Sequence, residues 1–255
     1  MKKIAFLVII FFIQSVSTPN MAQPNPPHPN RPWPIDLSVA LVSLAKKNQP
    51  TDSLLAQIAA LTPGDLSVAL TNDAQKLVFW INLYNGFTRI ALLAQPEDYQ
   101  KRNRFFSRRR WQVAGESLSL NDIEHGILRK NQYKFGLGYL PQLFPQRFNK
   151  AQALSQRDYR IHFALNCGAR SCPPVLAYQP ATVSQQLDLA TKNYLAMEVY
   201  RDSSQQKVYV PKLLSWFKGD FGGKKGIEDL LQKNAAPFEK GDRIRFKNYD
   251  WTLAL

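Results

Sequence analysis

The stretch from Asp73 to Gln95 constrains this chain more than any other. It has no internal proline, Pro96 lies just beyond it, and apolar residues run through it from Leu77 to Leu93 with almost no polar face left. A helix that is apolar all round is buried at the centre of its domain, so the rest of the chain has to surround it. Within the stretch sit Asn82, Asn85 and Arg89, at spacings that put them on one stripe. Asn in a helix interior costs several tenths of a kcal/mol relative to Ala, and a buried amide without partners costs roughly 1–3 kcal/mol more. The stripe therefore either meets polar groups inside the protein or lines a cleft. On the second reading Asn82, Asn85 and Arg89 are ligand-binding residues.

The surroundings mix helices and strands. Ser38–Lys47 reads as a first helix and Pro180–Val199 as a long amphipathic one, with shorter helices at Leu213–Phe217 and Ile227–Lys233. Trp111–Val113 and Ser117–Leu120 flank Ala114-Gly115, a short hairpin. Arg160–Asn166 alternates as a half-buried strand, Lys207–Val210 is a strand closed by Pro211, and Arg243–Trp251 is a last strand. No strict alternation with Gly-rich phosphate turns appears, which favours α+β over a doubly wound sheet. The expectation is a single domain in which the central buried helix packs on a small mixed or antiparallel sheet with helices around it. At 255 residues, 45% hydrophobic and 20% charged, one domain is sufficient to account for the chain.

The N-terminus reads as a secretory signal peptide over 1–22. Lys2 and Lys3 precede an apolar run from Ile4 to Ile13, and small residues up to Ala22 offer a cleavage site. That run falls short of the roughly 20 residues of a bilayer span. Residues 23–34 are Pro-rich and read as an extended spacer, with the globular part from Ile35. The chain is thus expected to be exported, to the periplasm or beyond. Its net charge of +14, or +12 without Lys2 and Lys3, suits an anionic envelope polymer or membrane surface as partner, and export argues against nucleic acid.

Several residues are candidates for chemistry. Asn121 followed by Glu124 has the spacing of a capping box that opens a helix. His125 comes next and Arg129 one turn on, so His125 is either a surface or capping residue or a general acid or base with Glu124 beside it. On a regular strand, His162 faces away from Cys167, which disfavours a dyad between them. Cys167 and Cys172 form a disulfide, or Cys172 is a thiol nucleophile with His162 or His125 as its base. Asn166 and Arg170 complete the polar segment as ligand contacts. With three histidines, one of them in the Pro-rich spacer, no metal-ligand cluster emerges, and no cofactor motif is present. The densest basic run, Lys101 to Trp111, interleaves Phe105 and Phe106 among Arg102, Arg104 and Arg108–Arg110. It is either a solvated loop or an anion-binding surface.

These motifs also carry a resemblance. Phe79–Asn85, Ser119–Arg129, Arg160–Pro174, Ser215-Trp216-Phe217 with Asp220-Phe221-Gly222, and Tyr249-Asp250-Trp251 together resemble the domain-of-unknown-function family 547 over roughly residues 73 to 255. The resemblance implies no settled activity. It does imply that Asn82, Asn85, Glu124, His125, Arg129, His162, Cys167 and Cys172 form a shared constellation. A likeness to papain-type layouts is weaker, because Asn72-Asp73-Ala74 stands where a cysteine at the head of the central helix would be. The expected function is a polar cleft that binds or hydrolyses a small polar or anionic envelope ligand. The alternatives are a non-enzymatic binding or scaffold module using the basic run, and third a cysteine-dependent hydrolase.

Overall fold

The central helix α4 spans Asp73–Ala94, and its start is fixed by a reciprocal capping box. The Asn72 side chain accepts from Gln75 N, and Gln75 Oε1 accepts from the Asn72 and Thr71 backbone N–H groups. Its residues from Leu77 to Thr88 are all buried. The structure, a computed structural model, describes residues 33–254. The signal-peptide reading of residues 1–22 and all but the end of the Pro-rich segment lie outside the described residues. Its last two residues behave differently from a spacer: Trp33 is buried, and Pro34 begins helix α1, Pro34–Lys46.

Helix α1 lies along α4, where Gly86 lets the Leu41 side chain come close to the α4 backbone. Helices α2 (Asp52–Ala59) and α3 (Pro63–Ala69) cover α1. A 3-10 turn (Pro96–Lys101) and helix α5 (Arg102–Ser107) follow α4. Strands β1 (Trp111–Val113) and β2 (Glu116–Leu118) then form an antiparallel hairpin. Trp111 stacks on Phe87 of α4, with centroids 4.3 Å apart. A second apolar core lies beyond helix α7 (Val183–Glu198). It is built on a three-stranded sheet of order β3-β4-β5: Tyr200–Asp202, Lys207–Val210 and Arg243–Phe246. β3 pairs antiparallel and β5 parallel to β4, so the sheet is mixed. Helices α8 (Leu213–Trp216) and α9 (Gly223–Lys233) close it. In the order of labels, helix α6 (Arg147–Gln152) precedes α7 and packs on the segment that carries His125.

The architecture is α+β, about half helical with these two small sheets. The central helix packs against helices and the small antiparallel hairpin sheet, while the mixed sheet belongs to the second core. Two expectations are corrected. The 160–166 segment is a 3-10 helix over Tyr159–Phe163, capped by Asp158, and not a strand. Its start is set by the Asp158 carboxylate, which accepts from Arg160 N and from the Arg160 guanidinium. The last strand ends at Phe246, and Tyr249–Ala254 instead runs along 168–171, with Arg170 N donating to Thr252 O and Ala254 N to Gly168 O.

Candidate functional site

The segment after the hairpin is capped earlier than the spacing of Asn121 and Glu124 predicts. Ser119 and Asp122 form the reciprocal pair: Asp122 N donates to Ser119 Oγ, and Asp122 Oδ2 accepts from Ser119 N and Oγ. The Glu124 side chain is thereby free of any capping duty. From Asp122 to Leu128 the backbone is a π-helix, a form that gathers at functional sites. It brings Arg129 Nη1 within 2.9 Å of His125 Nδ1. A guanidinium only donates, so His125 Nδ1 accepts and the ring proton resides on Nε2. Burial, reinforced by the charges of Arg129 and Lys134, holds the His125 imidazole well below its ordinary value, so the ring is neutral. Its 3.6 Å approach to Glu124 is therefore not an ion pair.

His162 mirrors this arrangement. Its Nε2 lies 2.9 Å from Asp220 Oδ2, and its ring stacks on Phe217 at 4.0 Å between centroids. Burial pushes the Asp220 carboxyl upward, but the hydrogen bonds from His162 and Arg129 outweigh it and keep it below the usual carboxylate range. The carboxylate accepts, so His162 also carries its proton on Nε2. Burial lowers the imidazole's own pKa, opposed by Asp220, and the ring stays neutral. Asp220 further accepts from Arg129 Nε at 2.7 Å and Arg157 Nη1 at 3.0 Å. Arg129 lies over the Phe217 ring at 4.6 Å and is only 1% exposed. The chain His125–Arg129–Asp220–His162 thus fixes two rings of one tautomer with opposite ends bound. Neither His125 Nε2 nor His162 Nδ1 makes a hydrogen bond among the described residues.

Both rings line one cleft of about 380 Å³. Glu124 joins them, accepting from the Tyr84 hydroxyl at 3.2 Å, which with burial raises the Tyr84 pKa well above the ordinary phenol value. Lys134 reaches the same cleft, its pKa lowered by burial against the opposing pull of Glu124. The walls are largely aromatic: Phe106, Phe135, Trp216, Phe217, Tyr249 and Trp251. A bonded Cys167–Cys172 pair, with Cα atoms 6.0 Å apart, forms part of one wall, and the Tyr249 hydroxyl lies 3.2 and 3.1 Å from its two sulfurs. As a disulfide neither sulfur is a nucleophile, which removes the thiol role considered for Cys172.

Of the other sequence candidates, Asn82, Asn85, Arg89, Asn166 and Arg170 lie outside the cleft, whereas Arg102, Asn103 and Phe106 of the basic run line it. Asn82 is fully occupied by the Tyr178 backbone, donating to its carbonyl and accepting from its N–H. Asn85 does the same across Ala164 O and Asn166 N. Arg89 donates to Ala45 O and Asn48 Oδ1, holding α1. None of the three lines the cleft. Asn166 shapes the disulfide loop, donating to Pro173 O and accepting from Gly168 N. Arg170 is exposed and 3.8 Å from Asp250. The basic run is partly neutralised: Arg108 and Arg110 sit 3.7 Å from Asp98 and Arg109 is 3.2 Å from Asp122, while Phe105 and Phe106 are buried. Asp220, Phe217, Tyr84 and Lys134 were not singled out as site residues from sequence. The visible signal was a lone carboxylate between Phe217 and Phe221, an acid set among aromatics. Among the described residues no group of three or more metal-ligating side chains is present.

Residues 68–195 match the family described as "Protein of unknown function, DUF547". No curated protein and no solved structure matches the chain. The matched span contains Glu124, His125, Arg129 and His162, whereas Asp220, Phe217 and the 249–251 motif lie beyond its end.

Proposed function

The chain belongs to the DUF547 family, a premise that brings no activity with it, and from the site itself we propose an acid–base cleft that binds and hydrolyses a polar ligand with an apolar or aromatic body. The observation that carries this reading is the pair of neutral imidazoles. His162 presents a bare Nδ1, backed through Nε2 by the Asp220 carboxylate, and is the base that takes a proton from the attacking water and returns it to the leaving group as that group's bond breaks. His125 presents Nε2–H and donates to the oxygen on which charge develops. Neutral imidazole is suited to that donor role, since its proton is held at a fixed atom. Glu124 and Lys134 orient the polar group, and the tryptophan and tyrosine wall takes the body of the ligand. An envelope location is part of the same proposal, supported by Lys2, Lys3 and the apolar run after them.

The test is turnover of a panel of chromogenic esters, amides and glycosides by the parent chain, His162→Gln and His125→Gln. The proposal expects at least one class to be hydrolysed, with loss of kcat in both variants and an acid limb below the ordinary histidine range. Turnover that survives His162→Gln would overturn it. The same readout tests the Arg108–Arg110 end of the basic run as a working surface: charge reversal there is expected to leave turnover unchanged.

A further inference from the structure

The loop between the π-helix and α6 exposes apolar side chains to an extent found nowhere else among the described residues. Tyr133, Phe135, Tyr139, Leu140, Leu143 and Phe144 are all exposed, Leu143 at 84% and Phe144 at 94%. This is not fraying. Tyr133 N donates to Leu140 O, Tyr139 N to Gly136 O and Gln142 N to Asn131 O, so the loop is closed on itself. It is also pinned to the site: Gly219 N donates to Leu137 O, and Arg157 Nη1 to Gly138 O. Gly138, at φ +84°, lies so close that a Cβ there would strike Asp220. A rigid scaffold thus holds apolar side chains out in water, where an exposed cluster marks an interaction surface.

The charge around the loop identifies what covers it. From His125 to Arg157 the sequence contains no Asp or Glu. Lys130, Arg147 and Lys150 are exposed and, with Lys134, form no ion pair among the described residues. Arg108–Arg110 of the basic run, by contrast, have their own carboxylates nearby. Apolar tips flanked along the chain by cations without ion pairs complement an anionic lipid surface, into which the tips dip while the cations meet headgroups. Tyr residues among them suit the headgroup boundary. We propose that the 133–144 loop docks this protein on an anionic bilayer. Lys134, Phe135 and Leu137 of the same loop line the cleft mouth, so docking sets the mouth at the headgroup layer. The ligand class is then an amphiphile drawn from that layer, a step that rests on the cleft reading above.

The experiment places a nitrobenzoxadiazole label at Phe144→Cys and, in a second full-length chain, at Ser204→Cys in the exposed β3–β4 turn. Vesicles are phosphatidylglycerol mixed equally with phosphatidylcholine, or phosphatidylcholine alone. Docking predicts a severalfold rise in emission at position 144, none at 204, and a much smaller rise on the neutral vesicles. Leu143→Ser with Phe144→Ser should weaken partitioning by more than about tenfold, as expected for two large apolar side chains. Equal emission at the two positions overturns the proposal, because the N-terminal apolar run would then be the anchor. A rise at 144 that depends on protein concentration and needs no vesicles overturns it in favour of a second copy of the chain. The ligand class is read separately, from the change in tryptophan emission on adding a dispersed single-chain phospholipid to the parent and to Trp216→Phe. Loop insertion without that change overturns the amphiphile ligand while docking stands, and the cleft reading is decided by the turnover panel. His162→Gln is expected to leave insertion unchanged.

Discussion

Two sets of buried polar groups, one inside α4 and one at the floor of the cleft, differ in what remains unpaired. Asn82 and Asn85 are fully buried, and each amide uses both its oxygen and its nitrogen on a backbone partner. His125 and His162 are nearly as buried, yet each ring has one nitrogen bound and the other without a partner among the described residues. Burial of polarity is thus not by itself a mark of function. The amides close loops onto the central helix: Asn85 fixes the Ala164–Asn166 corner from which His162 and the disulfide loop are set. The imidazoles keep one valence open toward a space a ligand can fill.

This contrast can be broken most forcefully at Asp220. Asp220→Ala would leave Arg129 charged, buried and without its carboxylate, a loss of about 3–5 kcal/mol in unfolding free energy by urea titration. An effect under about 1 kcal/mol would show that the ion pair is not buried as described. Asn85→Leu is next. It strands Ala164 O and Asn166 N, and about 2–4 kcal/mol should disappear; a variant of full stability with altered turnover would reverse the roles assigned to the two sets. Reduction, or Cys172→Ser, opens a short loop worth about 2 kcal/mol on the chain-entropy account, seen as a lower midpoint in urea. Smallest in stability is His162→Gln, whose amide nitrogen can still donate to Asp220. It should shift unfolding by less than about 1 kcal/mol while removing the base.

Acid should sharpen the same contrast. The folded-state pKa values of His125 and His162 are lowered, so below the ordinary histidine value the unfolded chain takes up protons that the folded chain refuses. Stability therefore falls as pH drops through that range and is insensitive to these two groups above it. Asp220, also lowered, adds a second loss as pH falls through and below the carboxylate range. Urea midpoints at a series of pH values for the parent and His125→Gln read the first loss, which the variant should reduce.

Much of this was legible in the sequence, and the gaps have physical causes. The apolar length of Asp73–Ala94 announced the central helix, and Pro96 its end. The π-helix was not legible, because Ser119 and Asp122 offer a cap of the same type two residues before Asn121 and Glu124, and both spacings satisfy the pattern. The 160–166 segment alternates as a strand does, yet Asp158 caps it and the helix-like turn wins. Pairing of Asn82 and Asn85 depends on backbone groups about eighty to a hundred residues away, which no local pattern reports. The role of Asp220 is likewise hidden, since its partners Arg129, Arg157 and His162 lie 58 to 91 residues before it.

The central claim is that both imidazoles are neutral, protonated at Nε2, and bound at opposite ends. Long-range nitrogen–proton correlation spectra of the histidines at neutral pH test it directly, with His125→Gln and His162→Gln giving the assignments. The account predicts the Nε2–H tautomer for His125 and His162, persisting to pH values at which a free imidazole in water is already charged. An imidazolium at either position, or a proton on Nδ1 of His162, would contradict it.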